Sequence, residues 1–363
     1  MLAGDEKRRP SLLLVLLAFL YGVSFAFAFR DLAYAEPGGF PAFYSTGELA
    51  RYNLSELYNQ ALQNTFHPLN GGTGYFYHLP YEVALLAPIS YLPQVAAFAV
   101  WTLISLLCLL GAAIVMRRHF PDFDLLVPFA FAATLSLLAN GQDSAILVLV
   151  TAISFDQFVR GRDAYAGAIL ALGLFKYPFI VPLIVILAFW HWRVLLGFCA
   201  AAIPVLGLSF ALVGRNGITQ YLALLRATDA KENPGILTNL RGIIGVFSGA
   251  SHPVLVIVLS VAVVALAAFI RADRIPLFCV GVIVTQLVSW HGHLYDAVLL
   301  LIPMAWMYRN KVPFLKWSAA ALIFATPILI ARQQLGYLLG IVLCALVAYF
   351  WIPRPSHAIR AQN

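Results

Sequence analysis

The chain has 363 residues, of which 62% are hydrophobic and 11% charged, with a formal net charge of +7. Soluble globular chains carry roughly 25% charged residues, so this composition excludes an ordinary soluble domain. The basic residues fall in short clusters between apolar runs, which excludes a nucleic-acid surface and fits the loops of a membrane protein.

Apolar runs of about 17–25 residues recur along the chain, each long enough to cross about 30 Å of hydrocarbon as a helix. They are continuous, whereas barrel strands would alternate polar and apolar residues. The expected fold is an all-α polytopic membrane protein of about 12 transmembrane or membrane-embedded helices in one domain.

In chain order, "EKRRP" in the tail 1–10 precedes a first span near Ser11–Phe29, which places the N-terminus in the cytoplasm. No small-residue cleavage site follows, so the span is expected to remain as a helix. Residues 30–93 then form a long extracytoplasmic loop ending in a short re-entrant piece, "YEVALLAPISYLP". A span near Ala96–Val115 leads to the basic "MRRHF". Two spans, about Asp124–Ala139 and Ser144–Phe158, are joined outside by "NGQDS" and return to "RGRD". The segment "AYAGAILALGLFKYPFIVPLIVILAFWHWR" predicts a hairpin of two short spans, broken at Lys-Tyr-Pro because Pro178 cannot continue a helix and disfavours helix at Tyr177.

A span near Val194–Val213 precedes a second outer loop over residues 214–252. Further spans follow near Val254–Ile270, Pro276–Trp290, Ala297–Tyr308, Phe314–Ile330 and Leu335–Trp351, with the tail 352–363 inside. This topology puts fifteen of the 23 Lys and Arg residues in the cytoplasm and seven outside, leaving Lys176 in the membrane. The cytoplasmic loops look like orientation signals. The four cysteines lie in apolar runs and look like small core residues.

Polar groups collect at the outer ends of the spans, where burying them is costly enough to suggest function. Asp31 follows the first span and is either a boundary charge or a base at the mouth of a cavity. Glu36 and Glu48 share its loop, and Glu48 also suits a helix start in "STGELARY". "YFYHLPYE" carries His78 and Glu82 four residues apart among aromatics, as an interfacial belt or as a wall for a sugar ring or an isoprenoid tail. "NGQDS" offers Gln142 and Asp143, or is a plain polar turn. Lys176, beside a helix break, suggests a phosphate or carboxylate partner. "SWHGHLYD" brings His291, His293, Tyr295 and Asp296 to a span start. Its His-x-His lacks a zinc-like ligand set, so no metal is expected. Arg241 in "NLRG" suits bidentate phosphate binding or an interface anchor.

The order of "FPAFYSTGELARYNLSELYN", "YHLPYEVALLAPISYLP", "NGQDSAILVLVTAISFDQFVRGRDAYAGAILALGLFKYPFIVPL", "NLRG" and "HGHLYDAVLLLIP" resembles glycosyltransferase family 87 over about residues 12–310. The resemblance implies a GT-C membrane architecture with an extracytoplasmic active site under the first loop. It implies a polyprenyl-phosphate sugar donor, commonly mannose, a lipid or glycan acceptor, inversion at the anomeric carbon and no cofactor. A first-loop carboxylate would take the acceptor proton, with Asp31 first and Glu48 second. Lys176, Arg241, His291 and His293 would contact the donor phosphate, and Tyr44, His78, Glu82, Gln142, Asp143, Tyr295 and Asp296 the substrates.

Family members often carry an Asp just before the first-loop "F-x-x-F-Y", a position held here by Gly39. An inactive relative that binds lipid-linked sugar is therefore one alternative. A lipid-linked glycan transporter is another, although such a protein would show broken spans in both halves. The expected setting is the bacterial inner membrane, with both termini cytoplasmic.

Overall fold

The computed structural model describes residues 39–66, 76–227, 233–310, 312–315, 317–319, 322, 329 and 332–351. Every regular element among them is helical: α1 (Gly39–Tyr52), α2 (Gln60–Phe66), α3 (Val83–Ile89), α4 (Gln94–Arg117), α5 (Ala132–Asn140), α6 (Ser144–Val159), α7 (Asp163–Ala171), α8 (Tyr177–Trp190), α9 (Trp192–Ala227), α10 (Leu240–Ser248), α11 (Pro253–Phe269), α12 (Arg274–Val288), α13 (Leu301–Arg309) and α14 (Tyr337–Trp351), with short 3₁₀ turns between several of them.

Two or three of the expected dozen spans are clear among the described residues. Among the described residues, α4 and residues Trp192–Arg226 of α9 are long and apolar enough to cross a membrane. A third span appears if α7 and Leu174–Trp190 count as one, bent by 71° at their break. That angle does not reverse the chain, so the expected hairpin of two short spans is instead a broken span or a re-entrant loop. The apolar helices α6, α11, α12 and α14 have 16, 17, 15 and 15 residues. At 1.5 Å per residue they reach about 23–26 Å, short of about 30 Å of hydrocarbon. The span expected over Asp124–Ala139 is cut at Phe131, whose extended backbone separates one turn at Val127–Ala130 from α5. Asp31, Glu36 and the first span lie outside the described residues, as does most of the span expected over Phe314–Ile330.

The segment expected as the second outer loop is more helical than its composition suggests. Gly214, at φ 63° and ψ −171°, breaks α9 in a conformation open to glycine alone, and the chain then resumes helix to Ala227. Further on, the Asn239 side chain caps α10 by accepting from Gly242 N–H at 2.9 Å.

Small residues set the closest contact. A Cβ on Gly167 of α7 would lie 1.8 Å from the Val194 carbonyl oxygen of α9, and one on Gly197 would lie 1.8 Å from that of Ala164. The two backbones touch where any side chain would hold them apart. Phe155 and Phe158 of α6 pack on Phe278 of α12 with ring centroids 5.3 and 5.8 Å apart. In α11 only Val256, Ala267 and Ala268 are buried, leaving an outward apolar surface suited to lipid. Cys279 is a core residue as expected, but Cys199 is exposed on α9.

Each end of α6 carries buried charge. Asp156 near its C-terminus is ringed by His119, Arg118 and Arg160 at 2.9, 3.7 and 3.0 Å. Nearby, Asp163 holds Arg274 at 2.5 Å and His191 at 3.4 Å, and Arg274 also donates to the Phe158 carbonyl at 2.8 Å. These basic loops therefore build ion-pair networks that tie α4, α6, α7 and α12 together, which is more than the orientation signal their composition suggests.

Candidate active site

The other end of α6 begins at the "NGQDS" turn. Gly141 closes α5 in the left-handed region at φ 59°. Its carbonyl accepts from Trp101 Nε1 at 2.8 Å, and a Cβ there would lie 2.5 Å from Phe40 Cβ. Only glycine satisfies both the backbone and the packing. The turn is thereby clamped between α1 and α4, and it delivers Asp143 and Ser144 to the start of α6, both fully buried.

The segment 76–82 is held by tyrosine hydroxyls. Tyr58 donates to the His78 carbonyl at 2.6 Å and Tyr221 to that of Tyr77 at 3.1 Å. The Tyr81 hydroxyl donates to the Leu172 carbonyl at 2.9 Å and accepts from Phe175 N–H at 2.6 Å. Phe76 is buried. These aromatics lock the loop onto the break beside Lys176 rather than form an interfacial belt. The rings of Phe43, Phe76 and Phe175 stand 5.4, 5.5 and 6.2 Å from the His78 ring and enclose it.

Loop, turn and break bring five of the sequence-selected residues together. His78 Nδ1 lies 2.7 Å from Glu82 Oε2 and 3.0 Å from Asp143 Oδ2. Lys176 Nζ lies 2.9 Å from Asp143 Oδ1 and 2.5 Å from Asp296 Oδ1. Ser144 Oγ completes the group, accepting from Lys176 at 2.6 Å and donating to Asp296 Oδ1 at 2.7 Å. Ser144 was not singled out by sequence; its place next to Asp143 at a helix start was the available signal. Both Asp143 oxygens sit within ion-pair distance of cations, yet neither receives a well-directed hydrogen bond, and Glu82 Oε1 has no partner.

Burial alone would push the His78 imidazole down, but the Asp143 and Glu82 carboxylates overcome it and raise its pKa to about 10. Burial, opposed by His78, holds Glu82 up at about 7. Asp143 resists its own burial because Lys176 and His78 favour the carboxylate, and its pKa falls. Lys176 donates to Asp296 and Ser144 and stands in ion-pair contact with Asp143.

The remaining candidates sit around this cluster or apart from it. Asp296 Oδ2 accepts from the His293 N–H at 3.1 Å, so the aspartate also pins the turn that opens the 294–300 segment. The His293 and Tyr295 rings stack at 5.0 Å, and Lys176 Nζ stands 5.2 Å from the Tyr295 ring. Arg241 is buried, with its guanidinium 5.0 Å from the Trp290 ring and Nη1 3.5 Å from His291 Nδ1. Gln142 lies against α1, where a Cβ on Gly39 would come within 1.7 Å of its Nε2. Tyr44 donates to the Leu92 carbonyl at 2.8 Å and is spent on the turn after α3. Glu48 lies further along the same helix, about 13 Å from Gly39 at 1.5 Å per residue.

A family model described as glycosyltransferase family 87 matches residues 76–290, a stretch that includes His78, Glu82, Asp143, Lys176 and Arg241. No curated protein matches the chain. The family match covers more than half of the sequence, and the chain belongs to glycosyltransferase family 87.

Proposed function

We propose that this membrane glycosyltransferase transfers a hexose, with mannose first in line, from a polyprenyl-phosphate donor to a lipid or glycan acceptor. Transfer takes place on the face opposite the basic loops, which in a bacterial inner membrane is the extracytoplasmic face. The observation that supports this most is the buried group His78, Glu82, Asp143, Ser144, Lys176 and Asp296, gathered where the first loop meets the break before α8. A sugar hydroxyl is a weak nucleophile, so a carboxylate takes its proton as the bond to the anomeric carbon forms. We assign that role to Asp31, ahead of Glu48. The bond from the anomeric carbon to the phosphate oxygen breaks on the opposite face, which inverts the centre. The phosphate leaves with added negative charge, and preorganised groups near Arg241, His291 and His293 meet it.

The test is donor consumption. The purified protein is reconstituted in liposomes with polyprenyl-phosphate mannose, glucose or arabinose and a lipid extract of the source membrane. Mass spectrometry then follows release of free polyprenyl phosphate. Release from one donor identifies the sugar. Tight binding of a donor with no release would replace this reading with that of an inactive sugar-lipid binder.

A further inference from the structure

The outer charge cluster has more acid than its own cations satisfy. Three carboxylates share one ammonium and one imidazole: Lys176 pairs with Asp143 and Asp296, and His78 with Glu82 and Asp143. His78 Nδ1 approaches two carboxylate oxygens at 2.7 and 3.0 Å, but a ring nitrogen carries at most one hydrogen. If that hydrogen goes to Glu82, Asp143 receives none. Glu82 Oε1, Asp143 Oδ1 and Asp143 Oδ2 are buried without a hydrogen-bond donor, on side chains only 2% and 0% exposed. A buried charged oxygen left without a donor is costly. Asp156, at the other end of α6, is buried to the same degree and is filled by donors on both oxygens.

One nitrogen and two carboxylates from separate loops, all within 4.8 Å of one another, have the number and reach of a metal's protein ligands. We propose that His78, Glu82 and Asp143 bind a divalent cation. A neutral imidazole and a +2 ion would bring three carboxylates and one ammonium to zero net charge. Asp143 would turn Oδ2 to the ion while Oδ1 stays with Lys176. Two hard oxygens and an imidazole, with no thiolate, favour Mn²⁺ over the soft-ligand metals.

The ion also gives the cluster a further role: it would accept charge from the departing phosphate. That role rests on the phosphate-donor reading above. The binding site itself does not.

The experiment uses the full chain, purified in detergent, stripped with a chelator and titrated with Mn²⁺ under electron paramagnetic resonance. One ion per chain is expected, with binding at least 100-fold weaker in Asp143→Asn and in Glu82→Gln, each checked for an intact unfolding transition. Absence of binding by the unsubstituted protein at about 1 mM, the weak end of protein cation sites, would overturn the proposal whatever the variants do. So would equal binding by all three proteins. A second titration with polyprenyl phosphate separates the two readings. A changed Mn²⁺ spectrum supports both, and an unchanged one leaves the metal site standing while removing its phosphate role.

Discussion

The two ends of α6 bury aspartates in opposite ways. Asp156 accepts hydrogen bonds from His119, Arg160 and Gln157 at 2.9, 3.0 and 3.0 Å. Its arginines reach outward, with Arg118 and Arg160 side chains 54% and 45% exposed, so the ends of the ion pairs stay hydrated. Asp143, about 20 Å away along the helix at 1.5 Å per residue, has cations beside it and no well-directed donor. Both are buried charges in a largely apolar protein. The saturated site has nothing left to offer a ligand and fits a structural clamp, whereas the unsaturated one keeps binding capacity at a steric and electrostatic cost to the fold. Charge alone would not separate the two sites. Hydrogen-bond accounting does.

The strongest way to break this contrast is to remove the one cation shared by the unsaturated end. Lys176→Met strands Asp143 and Asp296, both buried, and is expected to cost about 3–5 kcal/mol, as loss of one partner from a buried ion pair does. Thermal unfolding in detergent should show it, along with loss of transfer. Adding Asp143→Asn to the same chain should recover part of the stability, because contacting residues are not additive, and should recover no activity.

The paired neutral substitutions sharpen the contrast. Asp143→Asn is expected to lower transfer by about 10²–10³-fold, the scale of losing a preorganised electrostatic group. Its unfolding temperature should move little, since the lost ion pairing is offset by the relieved burial of a charge without donors. Asp156→Asn should do the reverse. It loses charge-assisted hydrogen bonds worth about 1–3 kcal/mol, the lower part applying because its arginines are exposed, and transfer per folded molecule should stay within about twofold. Unfolding curves and initial rates on the unsubstituted protein and these two variants check both; a stability loss at Asp143 with full activity would erase the distinction.

Much of the cluster at the start of α6 was legible in the sequence because polar residues stand out at the ends of apolar runs. His78, Glu82, Asp143, Lys176 and Asp296 were each visible in this way, and the proline after Lys176 marked the break. Their grouping was not visible, because they come from segments far apart in the chain and no short spacing joins them. Metal spacing drew attention to His-x-His instead, whose second member opens a 3₁₀ turn, its N–H held by Asp296. The saturated end was missed altogether: a single Asp156 in an apolar run, with its basic partners in other loops, looks like part of an orientation signal. The spans are only partly legible for a related reason. Hydropathy averages over a window and does not register a break at Phe131 or a bend of 71° beside Lys176.

Gly39 gives a smaller and more local test. Restoring an aspartate to the start of α1 would suit the helix dipole by about 0.3–1 kcal/mol, so electrostatics alone favours it. Sterics oppose it, because the new Cβ would fall 1.7 Å from Gln142 Nε2 and 3.3 Å from the Asn140 carbonyl. Overpacking of this kind costs about 1–3 kcal/mol and outweighs the dipole gain. Gly39→Asp should therefore lower the unfolding temperature and reduce transfer through a displaced Gln142 and Asp143. Gln142→Ala in the same chain should relieve the clash. If Gly39→Asp alone raised activity, the turn at Asn140–Asp143 would be softer than its packing against Phe40 and Trp101 implies.

Glu48→Gln should have the smallest effect. Glu48 lies about 13 Å along α1 from the turn that presents Asp143, by helical rise. Its surroundings belong to the α1–α3 junction, where Arg51 donates to the Ser90 carbonyl at 2.9 Å and stacks 3.7 Å from the Tyr91 ring, and where Tyr44 is bonded to Leu92. A partly exposed carboxylate there contributes on the scale of a surface ion pair, about 0–1 kcal/mol. Transfer by Glu48→Gln should stay within about twofold, while Asp31→Asn, its counterpart in the proposed base role, should lose about 10²–10⁴-fold, the range of general-base catalysis. Parallel rate measurements on the two variants decide between the carboxylates. Loss in Glu48→Gln with full activity in Asp31→Asn would move the base to α1 and shift the acceptor path from the end of α6 to the junction of α1 with α3.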